Sequence, residues 1–179
     1  MAKFQPAYIN TMRFERSGKD GPVYSEVKGD VGGATNSGIA LSTYQEHFPS
    51  ATKDVLKNMS EHDVFTFYQT YIWKTVYNAI NEQPMANYIF DMTVNHGAHK
   101  CHQMVQECIN TCKLHGNTIN AFVDGQFGAR TLEMTNFFGV KELLPKLRER
   151  RIELFENIVK ENPEEEKFLD GWLTRAKEA

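Results

Sequence analysis

Apolar residues recur at helical spacing along most of the chain, and this pattern constrains the fold more than any other feature. One such face follows Ser60 and consists of Val64, Phe67, Tyr68, Tyr71 and Ile72. A second lies near the C-terminus and consists of Leu144, Leu147, Leu154, Phe155 and Ile158. Spacing of this kind is typical of amphipathic helices. Because no long strand pattern interrupts them, the sequence predicts a mainly α protein.

The main exception is a glycine-rich segment near the N-terminus. Six of the twelve glycines lie between residues 16 and 38, just after a short helical pattern that ends at Glu15. Glycine and proline at residues 18–22 stop that helix, so Glu15 lies at a helix C-terminus. We therefore expect a glycine-rich loop or small β-hairpin over residues 16–38.

Local signals place the starts of three later helices. Ser42 with Gln45 and Ser60 with Asp63 both have the spacing of a capping box, in which two side chains satisfy free backbone N–H groups. Pro84 suits the first turn of another helix, where its missing N–H costs nothing. A chain of 179 residues can bury one sizeable core or two small, closely packed ones.

Composition excludes several classes of function. Twenty basic against twenty-three acidic residues give a net charge of −3, which argues against a general nucleic-acid or anionic-membrane binder. No apolar run approaches the roughly 18 residues that a membrane span needs. The three cysteines lie within twelve residues of one another, so we expect reduced thiols rather than a disulfide framework.

Glu15 and the polar segment after it form the strongest candidate for chemistry. Hydrolysis of a glycosidic bond needs a carboxylic acid to protonate the leaving oxygen, and a second polar group to place a water or stabilise the sugar cation. Glu15, Asp30 and Thr35 have the side chains for these roles. On spacing alone, the alternative is that Glu15 is a solvated helix end and that the glycines only make turns.

Several motifs in order resemble a known family. In the first half they are the Glu15 segment, Asp-Val-Gly-Gly-Ala-Thr-Asn-Ser-Gly-Ile at residues 30–39, Tyr-Ile-Trp at 71–73 and Phe-Asp-Met-Thr-Val-Asn-His-Gly at 90–97. This half resembles glycoside hydrolase family 108, the lysozyme-like N-acetylmuramidases of phage endolysins and bacterial secretion-activator proteins. The second half resembles the predicted peptidoglycan-binding domain that usually follows, through residues 123–131, 148–151 and 171–175.

The resemblance implies a lysozyme-like helical fold, with a catalytic region over residues 1–83 and a helical peptidoglycan-binding region over residues 84–179. It implies that Glu15 is the general acid, Asp30 the second carboxylate and Thr35 a water-positioning residue. Glu26 competes with Asp30 for the second role. The chain reads Glu-Arg-Ser-Gly at residues 15–18 where the family usually has Glu-Gly-Gly, and the stretch from Glu15 to Asp30 is longer than usual.

The implied activity is that of an N-acetylmuramidase, which cleaves the β-1,4 bond between N-acetylmuramic acid and N-acetylglucosamine without cofactor or metal. The implied partner is the glycan strand of peptidoglycan. The altered motif after Glu15 favours an alternative of another class, a peptidoglycan-binding or secretion accessory protein without catalysis.

Three further residues are candidates for binding the sugar. Tyr71 and Trp73 offer aromatic faces for pyranose rings, and Asn95 offers an amide that can recognise N-acetyl groups. The alternative is that the two aromatic residues are core residues and that Asn95 caps a helix.

Two other clusters have competing interpretations. A mixed set of histidines and cysteines (His96, His99, His102, Cys108, Cys112 and His115) has ligand types that zinc accepts, but the spacing matches no common zinc pattern. The arginines at 148, 150 and 151 suit either an anionic wall polymer or a salt-bridged helix face.

The N-terminal residues contain no apolar segment of a secretory signal peptide. We expect synthesis in the cytoplasm and action on the cell wall, in the periplasm, after release by a holin, export by a secretion partner or cell lysis.

Overall fold

The computed structural model describes residues 1–26, 33–114, 117–118 and 122–179. Over these ranges the chain folds into eight α helices and two small antiparallel sheets, which confirms the predicted mainly α class. The helices are α1 (Phe4–Glu15), α2 (Leu41–His47), α3 (Lys53–Lys57), α4 (Glu61–Phe67), α5 (Gln83–His96), α6 (Ala98–Thr111), α7 (Ala129–Glu161) and α8 (Glu166–Glu178).

Shorter elements connect these helices. A π-helical turn follows α4 at Tyr68–Ile72, and 3₁₀ turns lie at Thr75–Ala79 and Pro163–Glu165. The strands are β1 (Tyr24–Glu26), β2 (Ala34–Asn36), β3 (Ile39–Ala40), β4 (Lys113–Leu114) and β5 (Asn117–Thr118).

The glycine-rich segment forms the predicted hairpin. Strand β1 pairs antiparallel with β2, with Ser25 opposite Thr35, and β2 pairs with β3, with Thr35 opposite Ala40. The tight turn between β2 and β3 consists of Ser37 and Gly38, both at positive φ. This turn brings Gly38 toward the C-terminal end of α1.

The observed helix starts can be compared with the capping-box and proline signals in the sequence. Ser60 and Asp63 form the expected capping box, since each side chain accepts a hydrogen bond from the other residue's backbone N–H. Pro84 lies in the first turn of α5, also as expected. The prediction for Ser42 is wrong, because α2 already begins at Leu41, directly after β3, and has no side-chain cap.

Helix α7 joins two helical segments that bend at Gly139, which has φ of 54° and ψ of −163°. A Cβ atom at this position would lie 2.2 Å from Glu82 Oε2. The same Glu82 oxygen accepts a hydrogen bond of 2.8 Å from the Val140 N–H, which the bend leaves without a helical partner. Glycine therefore permits both the backbone angle and the close approach of the capping carboxylate.

One hydrophobic core connects the two halves of the sequence. It contains buried residues from Ala2 to Ala179, with α1 packed on α5 and α6 packed on α7. The core is continuous across residue 83, and the division of the chain there stays a prediction. Of the helices in the described ranges, none is long and apolar enough to cross a membrane.

Candidate active site

Glu15 is the last residue of α1, and its side chain is mostly buried, with 15% exposed. Its Oε1 atom accepts a hydrogen bond of 2.6 Å from Arg175 Nη2. Arg175 lies on α8, 160 residues further along the chain. The C-terminal helix therefore holds the carboxylate that the sequence singles out as the general acid.

Arg175 is held in turn by Asp91, a fully buried residue of α5. Arg175 Nε lies 3.1 Å from both carboxylate oxygens of Asp91, and Arg175 Nη2 lies 2.9 Å from Oδ1. On the other side, Arg151 Nη1 of α7 forms an ion pair of 2.8 Å with Asp91 Oδ2. One buried carboxylate thus balances two guanidinium groups, which supplies the charge pairing that burial of an ion requires.

Arg151 extends this network to the C-terminal end of α5. Its Nη2 atom donates to Asn95 Oδ1 at 3.1 Å, and its Nε atom donates to His96 Nε2 at 3.2 Å. Burial, together with the neighbouring Arg151 cation, lowers the pKa of His96 to about 3. His96 is therefore a neutral acceptor at physiological pH, with its proton on Nδ1.

The second oxygen of Glu15 faces the turn between β2 and β3. A Cβ atom on Gly38 would lie 2.3 Å from Glu15 Oε2 and 2.9 Å from the hydroxyl of Tyr68. Tyr68 donates a hydrogen bond of 2.8 Å to the Ser37 carbonyl and so fixes this turn. Burial raises the pKa of Tyr68 well above its usual value, so its hydroxyl stays protonated and acts as a donor.

A groove begins at this turn and runs between the π-helical turn and the junction of α5 with α6. Its lining includes Gly38, Tyr68, Tyr71, Lys74 and Thr93. The Tyr71 ring is half-buried and stacks on His47, with ring centroids 4.1 Å apart. Such a groove offers an aromatic face and hydroxyl groups, the combination that binds sugar rings.

Of the other predicted catalytic residues, the structure describes Thr35 and Glu26. Thr35 is half-buried in β2, and Asp30 lies outside the described residues. Glu26, the competitor for the second carboxylate, forms an ion pair with Lys53 and accepts a hydrogen bond from the Tyr24 hydroxyl. Above all, the hydrogen bond from Lys53 lowers the pKa of Glu26, which keeps this exposed carboxylate ionised.

Trp73 lies in the aromatic core. Its ring is 8% exposed and packs against Phe4, Phe90 and Tyr77 at centroid distances of 5.3 to 5.6 Å. Its indole N–H donates to Asn78 Oδ1 at 3.0 Å. The structure therefore places Tyr71 along the groove, Trp73 behind it in the core and Asn95 on the Arg151 guanidinium.

The histidines and cysteines are engaged separately. All three cysteines are buried and free, and His102 contacts the Tyr77 hydroxyl and the Gly125 carbonyl. Within the ranges the structure describes, no group of three histidine, cysteine or acidic side chains is placed to hold a metal ion. His115 of the predicted set lies outside those ranges.

Sequence reasoning missed three members of the ion-pair network: Asp91, Arg151 and Arg175. Each lies inside a motif that carries the family resemblance, but the sequence gave no role to Asp91 or Arg175, and for Arg151 it offered only a wall-polymer contact or a salt-bridged helix face. The available signal for Asp91 is a lone acidic residue on the apolar face of α5, where an unpaired charge is costly. Of the arginine cluster, Arg150 does form a partly exposed ion pair, at 3.0 Å from Glu107.

Two family models match this chain. Residues 15–97 match the family described as Glycosyl hydrolase 108, and residues 100–177 match the family described as Predicted Peptidoglycan domain. Residues 15–97 thus form a glycosyl hydrolase 108 region, and residues 100–177 form a predicted peptidoglycan region. The search of curated proteins found no match to this chain.

The solved structure of Brucella abortus SagA is similar to this chain. The two superpose with a TM-score of 0.74 over 97% of this chain and 91% of that chain, at 20% sequence identity. At that identity, the likeness shows the fold alone.

The two family regions share the candidate site. Glu15 and Asp91 lie in the hydrolase region, whereas Arg151 and Arg175 lie in the peptidoglycan region. The acidic half of the network thus comes from one region and the basic half from the other.

Proposed function

We propose that this protein is an N-acetylmuramidase that cleaves the β-1,4 bond between N-acetylmuramic acid and N-acetylglucosamine in peptidoglycan, with Glu15 as general acid. The observation that carries the proposal is the position of the Glu15 carboxyl group. Arg175 holds its Oε1 atom, and its Oε2 atom lies against Gly38, a residue that lines the groove.

This arrangement holds the Glu15 carboxyl group in place beside the groove. A general acid must be held in a fixed position, because small displacements of a reacting group reduce the rate steeply. The hydrogen bond to Arg175 fixes the carboxyl group from one side, and Arg175 is itself fixed by Asp91. The free oxygen, Oε2, is the atom that would carry the transferred proton.

The groove and the family regions support the choice of substrate. Tyr71 offers its half-buried ring along the groove, where a pyranose ring can pack. A predicted peptidoglycan domain follows the hydrolase region, which supports the bacterial wall as the source of the glycan. Asp30 and Thr35 stay our candidates for the group that places the attacking water, with Glu26 as the competitor.

Digestion of purified peptidoglycan tests the proposal. Soluble fragments released by the wild type and by Glu15→Gln are reduced with borohydride and identified by mass spectrometry. The wild type should release fragments with reduced muramic acid ends, and Glu15→Gln should lower the rate at least about a hundredfold, the usual contribution of a general acid. Glu133→Gln, on the exposed outer face of α7, is the matched control and should digest like the wild type.

Two results would overturn this assignment. Equal digestion by Glu15→Gln would remove Glu15 from the acid role. If the wild type releases nothing but sediments with insoluble peptidoglycan, the protein is a wall-binding accessory without catalysis.

A further inference from the structure

A second pocket borders the groove. We call it the junction pocket, and its lining includes Lys74, Ala98, His99, His102, Gly125 and Gln126. Lys74 and Ala98 also line the groove, so the two depressions share a border. A chain molecule lying in the groove would therefore reach the junction pocket without leaving the surface.

The far wall of the junction pocket is a turn at residues 124–127 that belongs to the peptidoglycan region. The buried side chain of Gln106 fixes it: Nε2 donates to Asp124 Oδ1 and to the Gln126 carbonyl, both at 2.8 Å, and Oε1 accepts from the Gly125 N–H at 2.9 Å. A Cβ atom on Gly125 would lie 2.3 Å from His99 Nδ1. The turn is thus pressed against the His99 ring and held rigidly, as a binding wall requires.

A buried hydrogen-bond chain joins the junction pocket to the groove. The Tyr77 hydroxyl lies 2.9 Å from Thr93 Oγ1 and 2.6 Å from His102 Nε2. Thr93 lines the groove and His102 lines the junction pocket. Because each of these polar groups has a partner, the floor under both depressions is a single ordered unit.

Lys74 lies at the border between the groove and the junction pocket, and no described carboxylate forms an ion pair with its ammonium group. Its side chain is exposed, and Nζ lies 3.5 Å from the Tyr71 carbonyl oxygen. Among the ion pairs of the described ranges, none includes Lys74. An ammonium group in this position attracts an anionic part of a ligand that lies across the border.

We propose that the junction pocket binds the peptide stem of a peptidoglycan strand, with Lys74 pairing with a stem carboxylate while the glycan lies in the groove. The proposal rests on the proposed function, since it takes the groove as the glycan site. Peptidoglycan differs from other glycans in carrying short peptides with free carboxylates. The pocket would therefore select peptide-bearing strands over bare glycan.

Titration of soluble ligands into catalytically silent protein tests the proposal independently of hydrolysis. Glu15→Gln is used as the background, and the two ligands are a muramyl tetrasaccharide with its stem peptides and the same tetrasaccharide after the peptides are removed. Adding Lys74→Gln should raise the Kd for the peptide-bearing ligand about fivefold more than the Kd for the bare sugar, since about fivefold is the upper range for one exposed ion pair. Lys74→Arg, which keeps the charge, should restore most of the affinity.

Lys160→Gln, an exposed lysine near the C-terminal end of α7, is the matched control and should leave both Kd values unchanged. Equal weakening of both ligands by Lys74→Gln would overturn the proposal, because the pocket would then bind sugar. No effect on either ligand would also overturn it. Failure of the proposed muramidase activity would be seen separately, as the absence of wild-type digestion.

Discussion

The buried carboxylate of Asp91 gives the sharpest test of how the site is held together. Asp91→Asn keeps the size and shape of the side chain and removes only its charge. Arg175 would retain the Glu15 carboxylate as a partner, but Arg151 would keep only the neutral acceptors Asn95 and His96. The substitution therefore leaves a fully buried guanidinium without a counter-charge.

The expected loss of stability follows from that burial. Asp91 and Arg151 have no exposed side-chain surface, and Arg175 has 12%. Removing one partner of a buried ion pair costs about 3–5 kcal/mol, because the remaining charge cannot recover its hydration. Domains of this kind unfold with about 5–15 kcal/mol, so Asp91→Asn should lose a large share of the total.

Urea unfolding measures this loss directly. The midpoint of Asp91→Asn should fall well below that of the wild type at an unchanged slope, which attributes the change to stability rather than to the unfolded state. The matched control is Glu133→Gln, which breaks an exposed ion pair with Arg130 and should cost at most about 1 kcal/mol. A loss no larger for Asp91→Asn than for this control would refute the reasoning.

Three further predictions follow from the site and the core. Gly38→Ala should lower peptidoglycan digestion about a hundredfold, because its methyl group would displace Glu15 Oε2. The control is Gly18→Ala, which has a similar φ but faces open space. Equal activity of the two variants would contradict the contact between Gly38 and Glu15. The free energy of unfolding should fall by up to about 1.4 kcal/mol per pH unit as the pH drops below about 6.5. In that range His96 binds a proton in the unfolded chain but not in the folded one, where its pKa is about 3. Urea unfolding between pH 7 and 5 measures that slope. His96→Gln, which keeps an acceptor for Arg151, should flatten it, and an unchanged slope in this variant would contradict the assignment of the pH dependence to His96. The three cysteines should react with iodoacetamide only after unfolding, since burial raises the pKa of each thiol to about 11 or 12. Mass spectrometry of the native protein after treatment would detect any alkylated cysteine, which would contradict the prediction.

Local signals were sufficient for most of the fold because they depend on neighbouring residues. The capping box at Ser60 and the proline in the first turn of α5 each involve partners within one helical turn. The failure at Ser42 has a tertiary cause. Because β3 ends at Ala40 and pairs there with Thr35, the sheet fixes where the chain enters α2, and the helix begins at once.

The position of Trp73 shows where a regular helical period fails. The residues from Tyr68 to Ile72 form a π-helical turn, which has more residues per turn than an α helix and so shifts every later side chain around the axis. Trp73 leaves this turn in extended conformation and enters the cluster around Phe4 and Phe90. Tyr71, inside the turn, stays at the surface of the groove.

The ion-pair network was out of reach for a different reason. Arg175 lies 84 residues from Asp91 and 160 from Glu15, so no local pattern relates them. In the sequence, Arg151 stands in a charged run that is typical of a solvated helix face, yet its side chain is fully buried. Only the packing of α7 and α8 against α5 and the end of α1 reveals that these arginines belong to the site.

The hydrolase region contributes the acidic residues of the network and the peptidoglycan region contributes the arginines, so the hydrolase region by itself would lack the counter-charges. Asp91 lies on α5 in the hydrolase region, while both of its cations come from the peptidoglycan region. A chain ending at residue 99 would lack both of these cations, so the Asp91 carboxylate would have no counter-charge and would need to be hydrated. Glu15 would also lose the guanidinium that holds its Oε1 atom. The peptidoglycan region thus has a structural part in the candidate site, separate from any binding of the wall, and the two regions should unfold in one transition.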